Sequence, residues 1–177
     1  MSCPRNMHVF RGPDTEVMSY PSRQFDSITS FALISDTHGL LREQALEALK
    51  SYKLILHAGD VGPRSVLKRL ETIASVVAVR GNTDCELFCL PPTELLSVNG
   101  RLVYMLHDLH MLDLDPAAAG ISMVVSGHSH QPSITACKEV LYVNPGSIGP
   151  KRFNLPISFA KVDCGQSGFG VELVYFA

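Results

Sequence analysis

The stretch Leu33-Ile34-Ser35-Asp36-Thr37-His38-Gly39 sets the terms for the rest of the chain. An apolar run over Ser30 to Ser35 reads as a buried strand. It stops at an aspartate and a histidine one residue apart. Along a strand, alternate side chains share a side, so Asp36 and His38 are expected to aim together from its end. One offers oxygen and the other nitrogen, which is half of a metal site.

Outward from this stretch the pattern alternates. Leu40 to Lys50 carries apolar residues at Leu41, Ala45, Leu46 and Leu49, a helical stripe. Leu54 to His57 reads as a second strand, ending in Ala58-Gly59-Asp60. Pro63 opens a helix through about Leu70 or Ile73. Val76 to Val79 reads as a third strand, ending in Arg80-Gly81-Asn82-Thr83-Asp84. This order predicts a parallel sheet with crossover helices.

Past Pro91-Pro92 the character changes. Asn99-Gly100 joins Glu94–Val98 to Arg101–Leu106 as a hairpin, which runs into His107-Asp108. Asp115-Pro116 starts a short helical piece that stops at Gly120. Ile121 to Ser126 reads as a strand ending in Gly127-His128-Ser129-His130. Two further hairpins follow, 134–137 with 140–143 and 157–163 with 171–176, separated by the turn Asn144-Pro145-Gly146-Ser147. A single domain over 30–177 is expected, with two sheets and outer helices. Its parallel-rich first half packs on a mostly antiparallel second half. Residues 1–29 are expected to be an irregular extension or an extra edge segment.

Composition narrows the classes. With 177 residues, 46% hydrophobic and 18% charged, the chain can build one core. Net charge is -2 and no basic cluster stands out, so a nucleic-acid surface is disfavoured while small phosphate substrates stay open. No apolar run is long enough for a membrane span. The start of the chain lacks a signal-peptide core. Cys3, Cys85, Cys89, Cys137 and Cys164 are odd in number, scattered and free of CxxC spacing, as expected of reduced thiols in a cytoplasmic protein. Composition leaves a homo-oligomer open.

Asp36 and His38, Asp60, Asn82, His107, and His128 with His130 each follow an apolar strand. Ligands of sheets with parallel strands gather beyond the carboxyl ends, so these residues are expected at one rim. Oxygen and nitrogen donors without thiolate suit Mn, Fe, Zn or Ni. Seven donors are too many for one such ion. If one carboxylate bridges, they divide between two.

The series Asp36-x-His38, Gly59-Asp60, Gly81-Asn82, His107 and Gly127-His128-Ser129-His130 resembles the calcineurin-like metallophosphoesterase pattern. It is similar in particular to the small YfcE-like phosphodiesterases, which also carry the Asn144-Pro145-Gly146-Ser147 turn. The resemblance runs from about Phe31 to the C-terminus. It implies a four-layer αββα sandwich, with two mixed sheets face to face and helices outside. It implies that Asp36, His38 and His130 bind one divalent metal ion, Asn82, His107 and His128 a second, and that Asp60 bridges them. Manganese is the first expectation, with Fe, Zn or Ni as alternatives. The implied activity is hydrolysis of small phosphate esters, most of all diesters, by a metal-bridging hydroxide. The alternatives are a phosphomonoesterase, or a non-catalytic scaffold like the retromer subunit of this fold.

Two positions depart from the relatives. Thr83 stands where they carry histidine or cysteine and cannot act as an acid near neutral pH. His107-Asp108-Leu109-His110 stands where they read His-Gly-His. With no strong general acid evident, substrates with good leaving groups, such as aryl phosphodiesters, are expected to be favoured; His110 is read either as a substitute acid or phosphate donor or as a plain surface residue. Asp84 is expected to orient its loop or Asn82. His57 is expected to pack or to orient a ligand carboxylate. Lys151 and Arg152 are read either as phosphate contacts or as solvated charges.

Overall fold

Short apolar runs between turn residues form the strands, and the two helical stripes form helices. The structure, a computed structural model, describes residues 21–87 and 89–176. In chain order the elements are β1 (Arg23–Phe25), β2 (Ser30–Ile34), α1 (Glu43–Leu49), β3 (Leu54–His57), α2 (Ser65–Glu71), β4 (Ser75–Ala78), β5 (Thr93–Val98) and β6 (Arg101–Leu106). A 3-10 turn (Leu109–Met111), β7 (Ile121–Val125), β8 (Ser133–Cys137), β9 (Val140–Asn144), β10 (Ile157–Cys164) and β11 (Phe169–Phe176) complete them.

The strands make a five-stranded sheet, β11-β10-β2-β3-β4, and a six-stranded sheet, β1-β5-β6-β7-β9-β8. β2, β3 and β4 run parallel, and β10 returns antiparallel beside β2. The six-stranded sheet departs from the mostly antiparallel expectation, because β6, β7 and β9 are parallel at its centre. The hairpins were legible, but a 3-10 turn with its loop (β6 to β7) and strand β8 (β7 to β9) make its parallel crossovers and leave no helical stripe to read. The extension expected over 1–29 lies outside the described residues as far as residue 20. Within it, Arg23–Phe25 pairs parallel with β5, so this sheet begins before residue 30.

The sheets pack face to face. Phe31, Leu33, Leu54 and Leu56 meet Leu96, Val103, Met105, Met123 and Val125 in the gap, all essentially unexposed. The alternate residues Ala32, Ile34 and Ile55 face outward under Ala45 and Leu49 of α1 and Val66 and Leu70 of α2. A strand buried on both faces reads as a continuous apolar run, which is why β2 and β3 were legible. Outside the six-stranded sheet, Tyr104, Leu106, Ile121 and Val124 are covered by Leu112, Leu114 and Ala117. The αββα layering is thus present, with its fourth layer thinned to the 3-10 turn and the loop after it. The helical piece expected at Asp115–Gly120 is a single turn. The Asp115 carboxylate accepts from the Ala117 N–H and the Ala119 N–H reaches the Asp115 carbonyl, but Gly120 turns away at φ 69°. One turn is too short to propagate.

Leu56→Ala, in the gap between the sheets, is expected to cost about 2–5 kcal/mol. A urea midpoint within error of the wild type would show that this gap is not the main core.

Candidate metal centre

The parallel strands deliver the polar residues to one rim, but not by strand alternation. β2 ends at Ile34, and the backbone then runs beside the loop after β3: Asp36 N–H to Gly59 O (3.0 Å), His38 N–H to Asp60 O (2.9 Å) and Gly39 N–H to Val61 O (2.9 Å). Asp36, His38, Asp60, His128 and His130 have φ of 56°, 42°, 54°, 67° and 58°. The common aim of Asp36 and His38 therefore comes from left-handed turns, a region that Asp and His enter more readily than most side chains. Such backbone costs of order 1–3 kcal/mol per residue and persists where its surroundings hold it.

Glycines let these loops touch. A Cβ on Gly81 would lie 2.1 Å from Asp60 Oδ1, and one on Gly127 would lie 1.9 Å from Ser35 Oγ. The glycines before Asn82 and His128 are thus space requirements.

The side chains converge in two overlapping sets. In the first, His130 Nε2 is 3.3 Å and His38 Nε2 3.8 Å from Asp36 Oδ1, and His38 Nε2 is 3.6 Å from Asp60 Oδ2. In the second, Asn82 Oδ1 lies 3.1 Å from His107 Nε2 and 3.0 Å from His128 Nδ1, while Asp60 Oδ1 is 3.5 Å from His107 Nε2. Asp60 turns one oxygen to each set. His107 Nδ1 donates to the Ala58 carbonyl at 2.7 Å, so in the neutral ring Nε2 is the nitrogen left to ligate. All seven residues meet at this rim. His110 does not join either set. Its ring is 94% exposed, and its Nδ1 donates to Asp108 Oδ1 at 2.9 Å.

The donors suit divalent cations. Among the described residues, Asp36 Oδ1 and His130 Nδ1 are buried without a hydrogen-bond partner. The rings of His38 and His130 stack with their Nε2 atoms 3.3 Å apart, an arrangement that a cation between them would relieve. Burial pushes the Asp36 carboxyl above its ordinary value, against the Ser35 hydroxyl and the His130 ring. Burial also opposes ionisation of Asp60, but hydrogen bonds from His107 and Thr83 overcome it and hold that carboxyl well below the usual range. Burial lowers His130 despite Asp36. It works against a charged His107 too, yet Asp60 and the Ala58 carbonyl outweigh it and the net direction is upward.

Three polar residues brace the rim. Asp84 is buried, and its carboxylate accepts from Gly62 N–H and Gly81 N–H, each at 2.9 Å, tying the loops that carry Asp60 and Asn82. Thr83 contributes its backbone N–H to Asp60 Oδ1 at 2.9 Å. His57 is buried at the end of β3. The Thr37 hydroxyl donates to Val61 O (2.8 Å), so it accepts from His57 Nε2–H (2.9 Å), and Gly59 N–H donates to His57 Nδ1 (3.2 Å). These bonds fit only the neutral Nε2–H tautomer, and burial holds the His57 pKa down to about 4.

Sequence reasoning missed Asn144 as a brace. Its amide donates to Gly127 O (2.7 Å) and Ser129 Oγ (3.0 Å), while Ser147 Oγ donates to Asp36 O (2.9 Å). The Asn144–Ser147 turn was the available signal, since an Asn-Pro-Gly-Ser sequence beyond a strand bends the chain back toward the rim. Arg152 reaches His38, its guanidinium nitrogen 3.5 Å from Nε2, and Lys151 is exposed. Cys85, Cys89, Cys137 and Cys164 are free thiols. No described helix is long and apolar enough to cross a membrane.

A sandwich of two mixed sheets with candidate metal ligands at one rim is the arrangement on which the comparisons with known proteins bear. The model of the calcineurin-like phosphoesterase superfamily domain matches residues 30–167, and the chain belongs to that family. A probable metallophosphoesterase of Methanocaldococcus jannaschii is 38% identical over 130 residues, 65% of this chain and 66% of the relative. Phosphodiesterase YfcE of Escherichia coli is 30% identical over 156 residues, 73% of this chain and 84% of the relative. The solved structure of YfcE, a phosphoesterase of Escherichia coli, superposes with a TM-score of 0.60 at 27% identity, covering 76% and 88% of the two chains. Vps29 of Chaetomium thermophilum shares the fold, with a TM-score of 0.67 at 16% identity over 84% of this chain and 98% of that one.

His57 gives this centre an acid-sensitive brace. The unfolded chain takes up the histidine proton near pH 6.5 and the folded chain only near 4, so the stability is present above about pH 6.5 and drains as pH falls toward 4. Between pH 7 and pH 5 the loss from this residue is expected to be about 2 kcal/mol. In urea titrations His57→Gln should flatten that pH dependence relative to the wild type; an unaltered slope would contradict the assignment.

Proposed function

We propose that the chain is a phosphodiesterase that works with two divalent cations, manganese first among them. The observation that carries this reading is Asp60, with one oxygen toward Asp36, His38 and His130 and the other toward Asn82, His107 and His128. These two sets would hold one cation each, with Asp60 shared, in a single catalytic domain over 30–177. The family, and relatives named as a metallophosphoesterase and a phosphodiesterase, support the reaction class. When bound, such a pair supplies an activated water at neutral pH and neutralises charge on the phosphoryl oxygens.

The protein's own groups do the rest. Asn82 turns its carbonyl oxygen to His107 and His128, which frees its amide N–H groups to donate to a phosphoryl oxygen. Arg152, beside His38, offers a charge-assisted contact to another. As water attacks, the P–O bond to the leaving group breaks and that oxygen needs a proton. Thr83 cannot supply one. His110 can: Asp108 holds Nδ1–H, so Nε2 is the nitrogen that delivers the proton. A phosphomonoesterase is the alternative for the same site. The scaffold reading is weaker because the donor set is complete.

Metal analysis of manganese-reconstituted protein is expected to find two ions per chain, with bis(4-nitrophenyl) phosphate hydrolysed faster than 4-nitrophenyl phosphate. Asp60→Asn should lower that turnover by on the order of 10²-fold or more. Metal-free, inactive protein after reconstitution would favour the scaffold. For an alkyl diester, His110→Ala should cost at least about 10²-fold in rate. An unchanged rate would take His110 out of the mechanism.

A further inference from the structure

Beside the candidate centre, on the outer face of the six-stranded sheet, lies a cavity of about 170 Å³. Asp108 and His110 reach it from the loop after β6, and His128 and Ser129 from the loop after β7. β8 and β9 wall the other side. Ser133 and Thr135 are two apart on β8 and so share a face. They pair across the ladder with Asn144 and Tyr142.

Three properties narrow the ligand. Ser129, Ser133, Thr135 and Tyr142 carry hydroxyls that both donate and accept, and the Asp108 carboxylate accepts only. Ser129 Oγ already accepts from Asn144 Nδ2 (3.0 Å) and Gln131 N–H (3.3 Å), which leaves its proton to give away. Next, the described lining contains no lysine or arginine but does contain Asp108, which penalises an anionic group. Finally, the volume falls below the roughly 300–1,000 Å³ of pockets that hold drug-sized ligands. That volume suits a three-carbon chain or a single sugar ring.

We propose that this cavity is the leaving-group subsite and takes a small neutral polyol, glycerol or a pentose-sized sugar, esterified to the phosphate. The proposal rests on the phosphodiesterase reading. The Tyr142 ring covers the carbon face of such a group, and the hydroxyls and Asp108 meet its oxygens. His110 lines the same cavity, where a poor alkoxide leaving group needs its proton. This replaces the aryl preference expected from Thr83 alone.

Calorimetry on the manganese-loaded chain, titrated with glycerol 3-phosphate and with inorganic phosphate, tests the subsite. The glycerol ester is expected to bind about tenfold more tightly, about 1.4 kcal/mol. In the Thr135→Val/Tyr142→Leu double variant that preference should fall to twofold or less. Thr135→Val alone, an exposed edge-strand change well suited to a strand, should already reduce it. Equal binding by the wild type, or a preference that survives both variants, would overturn the subsite. Hydrolysis of bis(4-nitrophenyl) phosphate reports the enzyme separately. Its absence with the glycerol ester preference intact sinks the hydrolase reading and retains the polyol pocket; its presence without the preference sinks the subsite alone.

Discussion

A fully buried carboxylate is the constraint to which the rest of the structure answers. Asp36 has one oxygen held by the His128 backbone N–H at 3.2 Å and the other without a hydrogen-bond partner. An ionised group in that position is costly unless a counter-charge arrives. The surrounding loops hold it there. Ser147 holds its carbonyl, Gly59 its N–H, and Gly127 comes close enough to Ser35 to leave no room for a side chain. Positive φ at five of the ligand candidates belongs to the same arrangement. Local backbone strain of this kind is common where a functional site is assembled.

The fold was legible wherever burial wrote it into the residue order. β2 and β3 are covered on both faces and read as plain apolar runs. Asn99 and Gly100, at φ 50° and 79°, adopt the left-handed pair that an Asn-Gly hairpin turn requires. The parallel centre of the six-stranded sheet was not legible, because a short turn with its loop and the strand β8, instead of α-helices, connect β6, β7 and β9. Nor was the thin fourth layer, since one turn and a loop do the covering that a helix was expected to do.

At the site, residue types were legible and their geometry was not. The seven candidate ligands stood out as polar residues after apolar runs. That Asp36 and His38 converge through left-handed turns depends on hydrogen bonds to the loop after β3, which no spacing rule contains. Asn144 read as a turn residue, although its side chain clamps Gly127 and Ser129. Nothing in the sequence singled out Ser133 or Thr135. Only the register of β8 against β9, with the loops after β6 and β7 alongside, brings them to one cavity. Asp108 links the two regions, bonded to His110 and 3.9 Å from His128 Nε2.

The central claim is that Asp60 stands between two cations. Anomalous diffraction from crystals soaked in manganese tests it most directly. The account predicts two peaks, one among Asp36, His38, Asp60 and His130 and one among Asp60, Asn82, His107 and His128. A single peak, or none at this rim, would contradict it.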